Sequence, residues 1–190
     1  MTVLEKTLKT LKKNQVLATF MREFVPNGTE CGFLRDYNEY CFLIDRVSTH
    51  GLYDGIFIFQ RPQLTRVRWG STLLNSTTEL YKRKNKKISR PKISIDNMKS
   101  ALKDIQKAYG YVCVSIDDLD SEALIIGEIE SLDDTHMLLY EFSGKTAKDR
   151  SHLLVPLAEI TSLEAGGIFE EDLRHLNFEY WAKTPKPKKT

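Results

Sequence analysis

Apolar residues recur at helical spacing at two places in the chain. Val3, Leu4, Leu8 and Leu11 share one face of an N-terminal helix, and Ile95, Met98, Leu102, Ile105 and Ala108 do the same further on. Asp96 stands where a cap for the second helix belongs, and Gly110 stands at its end, where the left-handed conformation is easiest for glycine. After each helix the period shortens to two. Five short strands are expected over 15–24, 30–36, 40–47, 55–60 and 64–69, and five more over 111–117, 123–131, 135–142, 151–156 and 159–164. Glu128-Ile129-Glu130-Ser131-Leu132 shows the alternation of a half-buried strand. Asp36-Tyr37-Asn38-Glu39 and Asp133-Asp134 supply tight hairpin turns. His50-Gly51 and Ser143-Gly144-Lys145 open a longer loop before the fourth strand of each set, and a second short helix closes each unit over 72–84 and 168–176.

The two sets are copies of one pattern. Residues 32–48 can be laid over 127–143 at an offset of 95, so that Gly32 meets Gly127, Leu43 meets Leu138 and Ser48 meets Ser143. Apolar positions coincide at Leu34/Ile129, Tyr37/Leu132, Phe42/Met137, Ile44/Leu139 and Val47/Phe142. At an offset of 96, Leu64–Gly70 lies over Ile160–Gly166, and upstream Val16–Phe20 lies over Val112–Ile116. The shared order of elements says more than the few identities. A helix followed by five short strands is best satisfied by a closed or nearly closed barrel, because bending the sheet pairs or shields its edges. The expected fold is therefore mainly β with flanking helices, as two tandem five-stranded barrels, each preceded by a short helix. Residues 1–84 form the first repeat, 85–94 a basic linker, 95–178 the second repeat and 179–190 a basic tail. Each barrel has a marginal size for standing alone, so packing of the two together or self-association is expected.

The segment Gly32-Phe33-Leu34-Arg35-Asp36-Tyr37-Asn38 resembles the first motif of Sm-like proteins, within the wider class of SH3-like small barrels. That motif has a glycine, an apolar residue two on, a second three further, and then an acid. Gly32, Leu34 and Tyr37 match and Asn38 replaces the acid; Gly127, Ile129, Leu132 and Asp133 match throughout. The asparagine that contacts RNA in the family falls at Phe42 and Met137. The basic step of the family's second motif is replaced by Gln60-Arg61-Pro62 and Val155-Pro156. The resemblance implies the small-barrel topology over most of the chain and departs from the family at its binding residues.

Composition excludes some classes. The chain has 190 residues, 41% hydrophobic and 28% charged, which is not the profile of a disordered chain or a collagen. Its three cysteines, Cys31, Cys41 and Cys113, are too few and too apolar in context for a disulfide scaffold or a zinc site. The N-terminus interleaves lysine with leucine and has no apolar core of a secretory signal. No stretch approaches the roughly 18 apolar residues of a membrane span, so a cytoplasmic protein without membrane contact is expected.

Charge is segregated although the net is only +2. Lys82, Arg83, Lys84, Lys86, Lys87, Arg90 and Lys92 form a run without an acid, and Lys183, Lys186, Lys188 and Lys189 follow at the C-terminus. The rest of the chain then carries −9, much of it in the nine acids between Val114 and Phe142. Like charges resist compaction, so the first run reads as an exposed linker, which either solvates the molecule or meets an acidic partner. Arg66 and Arg68 alternate with Val67 and Trp69, and Arg61, Phe57 and Phe59 lie close in sequence. Such a strand is a solvated cover for its apolar face or a platform for phosphates and bases.

Little points to catalysis. His50 and Asp54 flank Tyr53 in a loop and could act as an acid–base pair. Asp117-Asp118-Leu119-Asp120-Ser121-Glu122 concentrates carboxylates but lacks the calcium-loop pattern. His50, His136, His152 and His175 have no local metal partner, Ser48 and Ser143 lack a nucleophile elbow, and the glycines form no phosphate loop. No catalytic residue, metal or cofactor is assigned. The expected function is a binding module for nucleic acid, RNA foremost, through Arg61, Arg66, Arg68, Lys82, Arg83, Lys84, Lys86, Lys87 and Arg90. The alternative is a protein-interaction adaptor, self-association included.

Overall fold

The computed structural model describes residues 1–23, 28–85, 88, 90–116, 124–142 and 150–181, with side chains through 176. The first helix, α1 (Val3–Asn14), starts where Thr2 Oγ1 accepts the Glu5 N–H at 3.2 Å, and it buries Leu8 and Leu11. The equivalent helix of the second half, α3 (Met98–Tyr109), is capped by Asn97, one residue after the expected Asp96. The Asn97 side chain accepts the Ser100 N–H at 2.8 Å, while Asp96 is bonded to Ser94. Gly110 ends the helix with φ 82°, as the pattern implies.

The strands are β1 (Leu17–Arg22), β2 (Thr29–Tyr37), β3 (Cys41–Val47), β4 (Tyr53–Gln60) and β5 (Leu64–Trp69) in the first half. In the second they are β6 (Val112–Ser115), β7 (Leu124–Leu132), β8 (His136–Glu141), β9 (His152–Pro156) and β10 (Ser162–Ala165). Helices α2 (Thr72–Lys84) and α4 (Ile168–Trp181) follow the two sets. A 3-10 turn, Arg61–Gln63 or Leu157–Glu159, leads into the fifth strand of each half, a feature that apolar periodicity does not announce.

All ten strands form one antiparallel sheet in the order β5-β1-β2-β3-β4-β10-β6-β7-β8-β9. Each half keeps the same internal order, fifth-first-second-third-fourth. Among the described residues the ladder is continuous and open, with β5 and β9 at its ends. The halves join where β10 pairs with β4: Ser162 opposite Phe59, Leu163 opposite Ile58, Glu164 opposite Phe57 and Ala165 opposite Ile56.

Register gives the duplication its structural content. Gly32 lies opposite Arg46 and Gly127 opposite Glu141. A Cβ at either glycine would sit 2.4 Å from a carbonyl oxygen of the next strand, that of Asp45 or Tyr140. Glycine recurs there because the backbones approach too closely for a side chain. Likewise Thr19 faces Cys31 and Arg68, whereas Cys113 faces Ile126 and Glu164, so the first strands match two residues away from the alignment of Val16 with Val112: Ala18 is the equivalent of Val112. Arg46 is thus equivalent to Glu141, and Arg68 to Glu164.

Three apolar clusters stabilise the sheet. Under α1, Leu8 and Leu11 meet Ala18, Phe20, Leu34, Phe42, Ile44, Phe57 and Phe59. Under α2, Leu74 and Tyr81 meet Leu17, Phe33 and Val47. The largest crosses the joint, where Leu43, Ile56 and Ile58 pack with Leu102, Ile105, Tyr111, Val114, Met137 and Leu163. The 85–94 segment takes part, since Ile93 is buried in this cluster. Cys41 and Cys113 are buried and Cys31 half-buried, all as free thiols. No helix among the described residues is long and apolar enough to cross a membrane.

Candidate binding surface

The basic residues divide into two groups once the chain is folded. Arg61 turns inward: it pairs with Glu5 of α1, donates to the Asn38 carbonyl at 2.9 Å and lies over the Phe42 ring. Arg90 is also occupied, with Nε 3.0 Å from Asp45 Oδ2 and Nη2 donating to the Tyr81 hydroxyl at 3.1 Å. Both arginines fasten a neighbouring segment to the sheet. Lys84 donates to the His50 carbonyl at 2.7 Å, and Lys82 pairs with Glu79 one turn back at 2.9 Å.

Arg66, Arg68 and Arg83 are exposed, and none has a carboxylate partner among the described residues. Arg66 and Arg68 share one face of β5, as alternation requires, while Val67 packs toward the α1 cluster. Arg83 and Lys82 stand in the last turn of α2, about 15 Å along the helix from its first residue at 1.5 Å per residue. The two basic pairs thus lie on different elements, β5 and the last turn of α2. Lys86, Lys87 and the C-terminal lysines lie outside the described residues.

Trp69 is 48% exposed at the end of β5. With Lys6, Thr7, Thr10 and Leu11 it lines a shallow groove of about 190 Å³ between β5 and α1. Sequence reasoning missed Lys6, because only the fold sets this helix beside the fifth strand. At the other end of the sheet Leu154 is 63% exposed on β9. His152, exposed beside it, stacks on Tyr140 and has Nε2 3.1 Å from Glu130 Oε2.

The residues that join the halves were also invisible in sequence. Arg46, mostly buried on β3, pairs with Glu164 of β10 and, at 3.0 Å, with Glu170 of α4. Two carboxylates therefore share one guanidinium. Burial pushes Glu170 up to about 7, against the opposing pull of Arg46. On the same strand Asp45 is 2% exposed and held between Arg35, at 2.7 Å, and Arg90. Burial still raises its pKa, against both arginines. The two groups are separate: Arg46 ties β3 to β10 and α4, while Asp45 ties it to Arg35 and Arg90.

The other candidates find structural places. Asp54 Oδ1 accepts the Ile168 N–H at 2.9 Å at the start of α4, and its carbonyl accepts Arg46 Nε at 3.1 Å. The His50 carbonyl receives Lys84. The acidic stretch 117–122 lies outside the described residues. Among the described residues no group of three or more His, Cys, Asp or Glu is placed to hold a metal ion. Comparison with protein-family models, curated proteins and solved structures finds no match to this chain.

Proposed function

We propose that the chain is a binding module made of two helix-capped five-stranded units of small-barrel type, and that it engages protein through the open ends of its sheet. The identical strand order in each half supports the tandem-unit reading. The observation that carries the binding reading is an edge strand with no strand partner among the described residues and an exposed apolar side chain at each end of the sheet, Trp69 on β5 and Leu154 on β9. An edge strand offers a row of free N–H and C=O groups to an added strand. Backbone pairing then supplies affinity and the side chains specificity.

The test is affinity capture from an extract of expressing cells, comparing the intact chain with a variant carrying Trp69→Lys and Leu154→Lys, both at exposed positions. Proteins held by the intact chain and lost by the variant support the reading. An unchanged set overturns it.

A second reading, nucleic-acid binding, is favoured by the exposed, carboxylate-free Arg66, Arg68 and Arg83. These could neutralise phosphates, with Trp69 near for stacking. It loses Arg61 and Arg90, which are held in internal ion pairs. Binding of a mixed RNA and DNA pool at about 50 and about 300 mM salt tests it, since phosphate contacts weaken steeply with salt. Loss on changing Arg66, Arg68 and Arg83 to Ser would support it, and no binding at low salt would sink it.

A further inference from the structure

After α2 the chain turns back over the sheet, on the face of the first half that α1 leaves free. There Ile93 and Ile95 pack with Cys41, Leu43, Ile56 and Ile58. Arg90 Nε lies 3.0 Å from Asp45 Oδ2, and the Pro91 carbonyl accepts Arg35 Nη1 at 3.1 Å. The second half repeats what leads up to this crossing. α2 starts at Thr72 and α4 at Ile168, an offset of 96. Leu74 of α2 packs with Leu17, and Glu171 of α4 accepts the hydroxyl of Tyr111, the counterpart of Leu17, at 3.0 Å. At the same offset Arg90-Pro91-Lys92 falls on Lys186-Pro187-Lys188.

We infer that the C-terminal segment, residues 182–190, crosses the corresponding face of the second half as a strap, with Lys186 set against Glu128 and Glu130. The segment lies outside the described residues. Its placement follows from the matching order and register of the two halves, and does not depend on protein binding at the sheet ends.

Register fixes what the strap would meet. Phe33 faces Asp45 and Glu128 faces Tyr140, so Tyr140 stands where Asp45 does. Arg35 and Glu130 fall at the matching register shifts, so Glu130 stands for Arg35. Asp45 faces Ile56 and Tyr140 faces His152, so His152 stands for Ile56. The first half therefore offers Arg90 one carboxylate with an arginine behind it. The second offers two carboxylates, Glu128 and Glu130, both with side chains 37% exposed. Arg150 lies over the Tyr140 ring and comes only to 3.8 Å from Glu128, while His152 Nε2 is 3.1 Å from Glu130. A carboxylate has about four acceptor sites, so both have room for a further cation.

Charge supplies an independent match. The strap brings Lys183, Lys186, Lys188 and Lys189 and no acid, to a face where glutamate replaces both Phe33 and Arg35. Lys189 takes the place of Ile93, so the strap is held by charge and carries no apolar anchor there. Leu154, the counterpart of Ile58, is accordingly 63% exposed, whereas Ile58 is buried with Ile93. Exposed ion pairs are individually weak. Tethering sets the lysines at an effective concentration on the order of mM, which favours the chain's own face over that of a second copy in dilute solution.

The test is amide NMR of the isotope-labelled, nuclease-treated full chain at about 50 and about 500 mM salt, a range over which exposed charge contacts are screened. Changing Lys183, Lys186, Lys188 and Lys189 to Ser should shift the amides of Glu128, Glu130, Tyr140 and His152 at low salt and leave them in place at high salt. Lys186→Glu and Glu130→Lys should each lower the docking equilibrium by roughly twofold to fivefold, and the two together should restore it. Dispersed amides elsewhere show that each variant is folded. If these four amides ignore the lysine changes, or the shifts fall on another part of the chain, the inference is overturned. Shifts that grow between about 20 and about 400 μM protein would place the strap on a second copy, which also overturns it. Capture of a partner that depends on Trp69 and Leu154 stands or falls separately, so the two failures are told apart.

Discussion

Asn38 and Asp133 occupy the same turn in the two halves, yet one is an amide and the other a carboxylate. Asn38 Oδ1 accepts the N–H groups of Tyr40 and Cys41, both at 2.8 Å. Asp133 Oδ1 accepts those of Thr135 and His136 at 2.7 and 2.8 Å, which holds its pKa down to about 2. Asn38 also bridges the halves, because its Nδ2 donates to the Ile95 carbonyl at 2.7 Å and so links the first hairpin to the chain entering the second half. Asn38→Asp keeps the turn but sets an acceptor against that carbonyl. It should lower stability by about 1–3 kcal/mol, read from the urea midpoint. Glu170 makes a pH prediction. Its folded pKa lies above the ordinary 4.5, at about 7, so its contribution to stability is greatest below 4.5 and is lost as pH rises through 7. Stability should fall between pH 5 and pH 8 by on the order of 2–3 kcal/mol, and Glu170→Gln should flatten that fall. Turn residues such as Asn38 were legible because their bonds are local. Arg46 and Glu164, 118 positions apart, were not, since nothing local marks a partner so distant.

Elements were legible where apolar period and turn chemistry agree. The fifth strand of the first half was expected over 64–69 and is Leu64–Trp69. The last strand was expected over 159–164 and is Ser162–Ala165, because Leu157–Glu159 winds into a 3-10 turn first. A six-residue alternation cannot distinguish such a turn from the start of a strand. The paired glycines carry an element-level prediction. Gly32→Ala forces a Cβ to 2.4 Å from the Asp45 carbonyl oxygen, so strands β2 and β3 must separate. The cost should exceed about 2 kcal/mol in chemical denaturation. At Gly110 nothing lies within 4 Å of the added atom, and only the positive φ of 82° is strained. Gly110→Ala should therefore cost about 1 kcal/mol.

At the scale of the molecule, the repeated order of elements was legible and the joint was not. Tandem copies say how many units there are but leave open which edges meet. Here the largest apolar cluster contains residues from both halves, so the second half shares its core with Leu43, Ile56 and Ile58 of the first. The chain should unfold in one cooperative transition, with calorimetric and van't Hoff enthalpies equal. Leu163→Ala, at the centre of the joint, should cost about 2–5 kcal/mol. Hydrogen exchange should then rise together in β3–β4 and β6–β7. Independent loss of one half would contradict this.

The pairing of β4 with β10 also sets an order of events during synthesis. The strand that covers Ile56–Phe59 is made after nearly all the rest of the sheet. Until Ser162–Ala165 emerges, the nascent chain holds a strand of Ile56, Phe57, Ile58 and Phe59 with one open edge. Distant strand pairing is slow to form, and an open apolar edge invites other chains meanwhile. A chain cut short before Ser162 would keep nine of the ten described strands yet be more prone to aggregate than the full chain. Its solubility would depend on a four-residue strand near its end.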